Sequence, residues 1–153
     1  MRGGAIVWSS WIVNAVFAVT AGPAALGVDA FDDVAVGTAL ALFAISIPVW
    51  LYAFARAVAR TARGDDIVVA SLFFLQGSAP RRVRVHLLVA VAVSIVVAAA
   101  TGAANPFGVL VPMLPLGLVG LWGARHGTYP PRRESGADRT LAPTPRSQTQ
   151  RRT

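Results

Sequence analysis

Cysteine is absent from the 153-residue chain, which excludes disulfide frameworks, thiolate metal sites and cysteine nucleophiles. Lysine is absent too, so all 14 basic residues are arginine. Charge of either sign is scarce: charged residues make up 14%, against about 25% in soluble domains. Catalytic signatures are also missing. There is no HExxH, no GxSxG, no P-loop and no glycine-rich phosphate loop after a strand. What the chain has in quantity is apolar surface, at 55% hydrophobic residues. The length fits one domain, and the composition excludes an ordinary soluble enzyme.

The apolar residues are gathered in four blocks: Ala5 to Leu26, Val34 to Ala55, Val85 to Ala104 and Pro106 to Ala124. A helix crossing a hydrocarbon core of about 30 Å needs roughly 20 mainly apolar residues, and within the core every backbone group must be bonded internally. Each block meets that length with no Asp, Glu, Lys or Arg inside it. The spacing therefore predicts an all-α polytopic membrane protein with four transmembrane helices arranged as two antiparallel hairpins. Short turns at Gly27 to Asp33 and around Gly102 to Pro106 join the helices of each hairpin. Met1-Arg-Gly-Gly followed by an apolar run also resembles a signal peptide. The run exceeds the usual h-region of about 7 to 15 residues and contains Asn14, so a retained helix is the reading taken.

Arginine placement orients the spans, because cationic side chains near span ends are retained in the cytoplasm. Arg2 precedes the first block, six arginines lie between the second and third, and seven follow the fourth. Neither short turn contains one, and the first carries Asp29, Asp32 and Asp33. Four crossings with both termini cytoplasmic in the bacterial inner membrane satisfy every arginine. Arg56, Arg60, Arg63, Arg81, Arg82, Arg84 and Arg125 are then expected at anionic lipid headgroups, each worth about 1 kcal/mol near the surface.

Within the middle loop, 56–84, residues 67–75 are hydrophobic but about half the length of a crossing. A short helix at the membrane surface or tucked against the bundle is expected, with Asp65 and Asp66 available to cap it and a strand as the alternative. The transmembrane domain is expected over 1–127. From Thr128 to Thr153 the chain is rich in Pro, Arg, Ser, Thr and Gln, which predicts a disordered cytoplasmic tail. With Tyr129 its only aromatic residue, the tail lacks the stacking groups expected of a nucleic-acid binder.

A charge inside a span is the usual mark of a proton relay or ion path, and the spans carry none. Asn14 is the sharpest polar residue in a span, suited to an interhelical amide bond. Ser10, Asn14, Ala18 and Gly22 recur every fourth residue in the first span, as do Ala90, Ser94, Ala98 and Gly102 in the third. Both sets are expected to form helix-packing stripes, since small residues let membrane helices approach closely. Gly117, Gly120 and Ala124 make a comparable face in the fourth span, where Pro112 and Pro115 are expected to bend the helix. His86 and His126, the only histidines, open the third span and close the fourth. No carboxylate neighbours either one in sequence, so no metal or cofactor is expected.

The run from Asn105 to Arg132, with Gly77-Ser-Ala-Pro-Arg-Arg82 before the third span, resembles small actinobacterial four-helix integral membrane proteins. That resemblance implies an all-helical membrane fold and brings no activity or site residue with it. The expectation is a non-enzymatic structural or accessory membrane component whose partners are lipids, itself or other membrane proteins. A small oligomeric transporter or channel is the alternative, and a cofactor-carrying anchor using the two histidines a weaker one.

Overall fold

The computed structural model describes residues 3–131. These form five helices: α1 (Gly4–Ala25), α2 (Asp32–Thr61), α3 (Val69–Phe73), α4 (Arg81–Thr101) and α5 (Met113–His126). Short 3₁₀ turns at Asp29–Phe31 and Pro106–Leu110 lead into α2 and α5. Four helical segments are long and apolar enough to cross a membrane: Gly4–Ala25, Asp29–Thr61, Arg81–Thr101 and Pro106–His126. The chain is thus a multi-pass membrane protein by the length and composition of its helices. The part of the expected tail beyond Pro131 lies outside the described residues.

Helix ends follow local chemistry. Gly27, with φ of 82°, turns the chain after α1 in a conformation that penalises any side chain. Asp32 and Asp33 sit in the first turn of α2, where negative charge suits the helix dipole. At 30 residues α2 is about 45 Å long, some 15 Å more than the hydrocarbon core, so its last turns carry Arg56 and Arg60 beyond the apolar block. The apolar block closes at Arg56, whereas the helix itself runs on to Thr61.

Side-chain contacts fix which helices run together. Asn14 of α1 reaches Ala90 of α4, Trp11 meets His86, and Phe17 shares a core cluster with Ala98, so α1 and α4 run parallel. Trp50 of α2 lies at Met113 and Gly117, while Arg60 lies at Ala124 and Gly127, so α2 and α5 are parallel too. These parallel pairs join helices that are not consecutive in the chain.

The buried seams have a period the small-residue stripes do not. In α1 the buried residues are Ser10, Asn14, Phe17, Ala21 and Ala24, alternating steps of four and three. In α2 they are Ala35, Ala39, Ser46, Ala53 and Ala57, in α4 Val83, Leu87, Ala90, Ser94, Ala98 and Thr101. A mean step near 3.5 residues keeps a seam facing its partner, whereas a step of four precesses about 40° each time around a 3.6-residue helix. Ala18 is accordingly exposed, and a Cβ placed on Gly22 would meet nothing within 4 Å. Gly102 likewise meets only carbonyls of its own helix. Both stripes therefore run off the interface, the first after Asn14 and the second after Ala98.

The fourth span is the central one. In its most apolar stretch 61% of residues are buried, against 22 to 28% for the other three. It is not one bent helix. The 3₁₀ turn Pro106–Leu110 packs Gly108 on the Phe17 ring, and the α-helix starts afresh after Pro112. Pro115 then falls in the first turn of α5, where its missing N–H would have had no partner, so it produces no kink.

Candidate functional site

The arginine-rich end of the molecule holds the densest set of specific contacts, and the glycines of α5 create the room for them. Gly117, Gly120 and Gly123 recur every third residue and present bare backbone along one side of the helix. A Cβ on Gly117 would lie 2.8 Å from the Trp50 ring, and one on Gly120 2.6 Å from the Phe73 ring. On Gly123 it would lie 2.7 Å from the backbone oxygen of Leu72. The middle-loop segment is thus wedged onto α5, the tucked alternative expected for residues 67–75. Leu72 is 2% exposed, and Phe73 stacks on Trp50 with ring centres 4.9 Å apart. Trp50 also donates its Nε1–H to the Met113 carbonyl at 2.8 Å, tying α2 to the first turn of α5.

The wedge closes through Leu75, fully buried with φ of 52°. A left-handed conformation costs a leucine roughly 1–2 kcal/mol, sustained here by packing against Val83, Leu87, Val119 and Trp122. Asp65 and Asp66 do not cap α3. Its start is held by Ser71, whose hydroxyl donates to the Val68 carbonyl at 2.7 Å.

Asp65 instead pairs with Arg60, which was expected among the headgroup arginines. The Arg60 Nε donates to Asp65 at 2.6 Å, and Nη1 donates to the carbonyls of Gly127 at 2.9 Å and Ala124 at 3.3 Å. A planar fork with five donors suits this position, because the last carbonyls of α5 have no partner within the helix. The guanidinium also lies 5.0 Å from the centre of the Tyr129 ring. Residues 128–131, assigned to the tail by composition, are stitched to the middle loop. The Thr128 N–H donates to the Ser78 carbonyl at 3.1 Å, the Asp66 N–H donates to the Pro130 carbonyl at 3.0 Å, and Asp65 bridges Pro131. Burial holds the Tyr129 hydroxyl above its ordinary pKa, with the Ser78 hydroxyl and the Arg60 charge acting in the opposite sense.

The remaining headgroup arginines differ in their surroundings. Arg56, Arg63, Arg81, Arg82 and Arg125 are exposed and Arg84 is half-buried. Arg56 lies over the Tyr52 ring, and Arg63 donates to the Ala59 carbonyl one turn back. Among the packing residues Ser10, Asn14, Ala90, Ser94 and Ala98 are buried between α1 and α4. The Asn14 amide nitrogen donates to Ser10 O at 3.1 Å and, across the interface, to Ala90 O at 2.9 Å, which uses both of its hydrogens. Its polar end is turned into the α1–α4 interface.

The histidines are not brought into one cluster. His86 is exposed beside Trp11, while His126 is half-buried against Trp122, ring centres 5.7 Å apart. Among the described residues no group of three or more His, Cys, Asp or Glu side chains is placed to hold a metal ion. Sequence reasoning missed Phe17, Trp50, Tyr129 and Asn105. Asn105 is 1% exposed with both amide atoms unpaired, and its position in an Asn-Pro turn, read only as a connection, was the available signal. Comparison with family models, with curated proteins and with solved structures gives no match.

Proposed function

We propose that the protein is a non-enzymatic structural or accessory component of the bacterial inner membrane, which associates with itself or with other membrane proteins. In this reading the four spans form two antiparallel hairpins with both termini and the middle loop in the cytoplasm. The observation that carries the structural role is closure. The loop between α2 and α4 folds back onto α5, Leu72 and Leu75 are sunk beneath it, and Arg60 ties α2, the loop and the end of α5 together. One polar side chain within the spans supports the same reading: Asn14 of α1 donates to the Ala90 carbonyl of α4, whereas Thr20, Ser46, Ser94 and Thr101 bond back to carbonyls of their own helices. A bond between helices, as Asn14 makes, holds them together in lipid, where hydrophobic exclusion does not.

Orientation is supported by sequence, with arginine flanking the spans at one end and Asp29, Asp32 and Asp33 at the other. The absence of cysteine makes it directly testable. Single cysteines replacing the exposed Ala30 and Ala62 should react differently with a membrane-impermeant maleimide in intact cells, Ala30→Cys labelled and Ala62→Cys protected. The accessory role predicts that extraction in mild detergent yields a stoichiometric complex, with further copies of the chain or with another membrane protein. A monomer that supports solute flux in proteoliposomes would overturn it.

A further inference from the structure

The hydrophobic segment of the middle loop does not lie level with the arginines that flank it. Phe73 stacks on Trp50, and its ring fills the space a Cβ on Gly120 would need. Trp50 stands six residues before Arg56 in α2, and Gly120 five before Arg125 in α5. At about 1.5 Å per helical residue, Phe73 lies roughly 7–9 Å further along the bundle than either arginine, about a quarter of the thickness of a hydrocarbon core. Leu75 is set inward as well. It packs on Leu87 of α4, three residues past Arg84, and on Val119 of α5, six before Arg125. Trp50, Leu87, Val119 and Gly120 all belong to stretches without Asp, Glu, Lys or Arg. The chain therefore enters from the arginine-rich end, turns at Phe73 to Leu75, and leaves through Gly77, whose φ of 70° reverses it, to Pro80.

Non-spanning backbone at membrane depth must have its polar groups bonded and one side seated on protein. Both conditions are met. The Val68 carbonyl accepts from the Leu72 N–H at 3.0 Å and from the Ser71 hydroxyl, and that hydroxyl in turn accepts from the Val68 N–H at 3.3 Å. The Ala70 carbonyl accepts from the Phe74 N–H at 2.9 Å, and the Ser71 carbonyl from the Ser78 hydroxyl at 3.2 Å. The inner side, Leu72, Phe73 and Leu75, bridges from α2 to α4 across the glycines of α5. The outer side is apolar and bare: Val69, Ala70 and Phe74 are exposed, and no charged residue occurs from Ile67 to Leu75. It continues the exposed apolar side of α2, because Phe73 also meets Phe54, which is exposed with Leu51.

We propose that residues 67–75 are a re-entrant segment of the membrane domain, and that Val69, Ala70 and Phe74 are a contact surface for lipid acyl chains. The tip at Phe74 stands in hydrocarbon, on the same lipid-facing side as Leu51. A segment lying flat on the membrane surface would instead keep Phe74 level with Arg56 and Arg63. The proposal rests on the reading that these arginines mark the membrane edge, and the control positions below separate the failure of that reading from its own.

The test is collision accessibility of nitroxide labels on single cysteines, in the full-length chain reconstituted into phosphatidylglycerol–phosphatidylethanolamine vesicles. Oxygen concentrates in hydrocarbon, whereas a polar nickel chelate stays in water. Leu51→Cys reports the span and Ala62→Cys the loop, both at exposed positions. Phe74→Cys is expected to match Leu51→Cys, with nickel access about tenfold or more below that of Ala62→Cys. Ala70→Cys, a smaller change one turn earlier on the same side, should likewise favour oxygen. Nickel access at 70 and 74 equal to that at 62, with 51 protected, would overturn the re-entry and leave the spans standing. Equal access at 51 and 62 would overturn the placement of the membrane edge, and the re-entry with it.

Discussion

Gly123→Ala probes the wedge at its most constrained contact. The added Cβ would lie 2.7 Å from the Leu72 carbonyl oxygen, 3.1 Å from the Tyr129 hydroxyl and 3.2 Å from Leu72 Cδ1. Ordinary contact begins near 3.4 Å, so the α3 backbone must retreat by about 0.7 Å. A carbonyl in a short helix cannot rotate away as a side chain can, and overpacking of this kind costs about 1–3 kcal/mol. Replacing glycine inside a helix returns about 0.5–1 kcal/mol of conformational entropy. The net expectation is a loss of about 0.5–2 kcal/mol, expressed as release of the wedge. Gly120→Ala meets the far edge of the Phe73 ring, which can tilt, and should cost less. Gly22→Ala meets nothing and should be neutral or stabilising. Equilibrium unfolding in mixed detergent gives the order, and hydrogen exchange over residues 65–80 shows whether α3 has loosened. A Gly123→Ala protein as stable as Gly22→Ala, with unchanged exchange in that segment, would refute close packing of α3 on α5.

Four further outcomes are expected. Asn14→Ala should cost about 1 kcal/mol in the same unfolding assay by removing the bond to Ala90 O, and a silent substitution would show that the bond carries nothing. Asn105→Leu should be neutral or stabilising, since it removes two unpaired buried amide atoms at similar volume; a large loss would reveal an acceptor or donor for that amide. Arg60→Gln should cost about 1–3 kcal/mol, while Asp65→Asn, which breaks only the partly exposed ion pair, should cost under about 1 kcal/mol; equal losses would place the ion pair above the carbonyl contacts. Because burial raises the Tyr129 pKa, its contribution to stability is intact below about pH 10 and is lost as the pH rises through the higher folded-state value. Ultraviolet titration of Tyr52→Phe, which leaves Tyr129 the only tyrosine, should give a midpoint above 10, and a midpoint at or below 10 would contradict the burial.

The four spans were legible because a bilayer imposes a demand that composition alone expresses: about twenty residues without charge. Boundaries were less legible, because charge marks where lipid ends and hydrogen bonding decides where a helix ends. Arg56 closes the apolar block of α2, yet the helix continues to Thr61. In the fourth span the effect of the prolines depends on register. Pro112 precedes the new helix and Pro115 falls within its first turn, so a break replaces the expected bend. The small-residue stripes erred by half a residue per step. Spacings of four and of 3.5 share their first two members, Ser10 and Asn14, and only the third separates exposed Ala18 from buried Phe17. Small size permits close approach without requiring it, so the stripe could not choose its own period.

The middle loop was harder for a different reason. Its hydrophobic segment had to be hidden, but the surface that hides it is a row of glycines some fifty residues away, and bare backbone carries no pattern that names its partner. Arg60 is the corresponding case for charge. In sequence it is one of six loop arginines, all equally suited to headgroups. What separates it is that α2 runs on past its apolar block, bringing its guanidinium level with the end of α5, where carbonyls lack partners. Arginines that composition treats as one class are thus divided by helix ends: Arg60, which completes the C-terminus of α5, is consumed by the fold, while Arg56, Arg63, Arg81, Arg82 and Arg125 stay exposed.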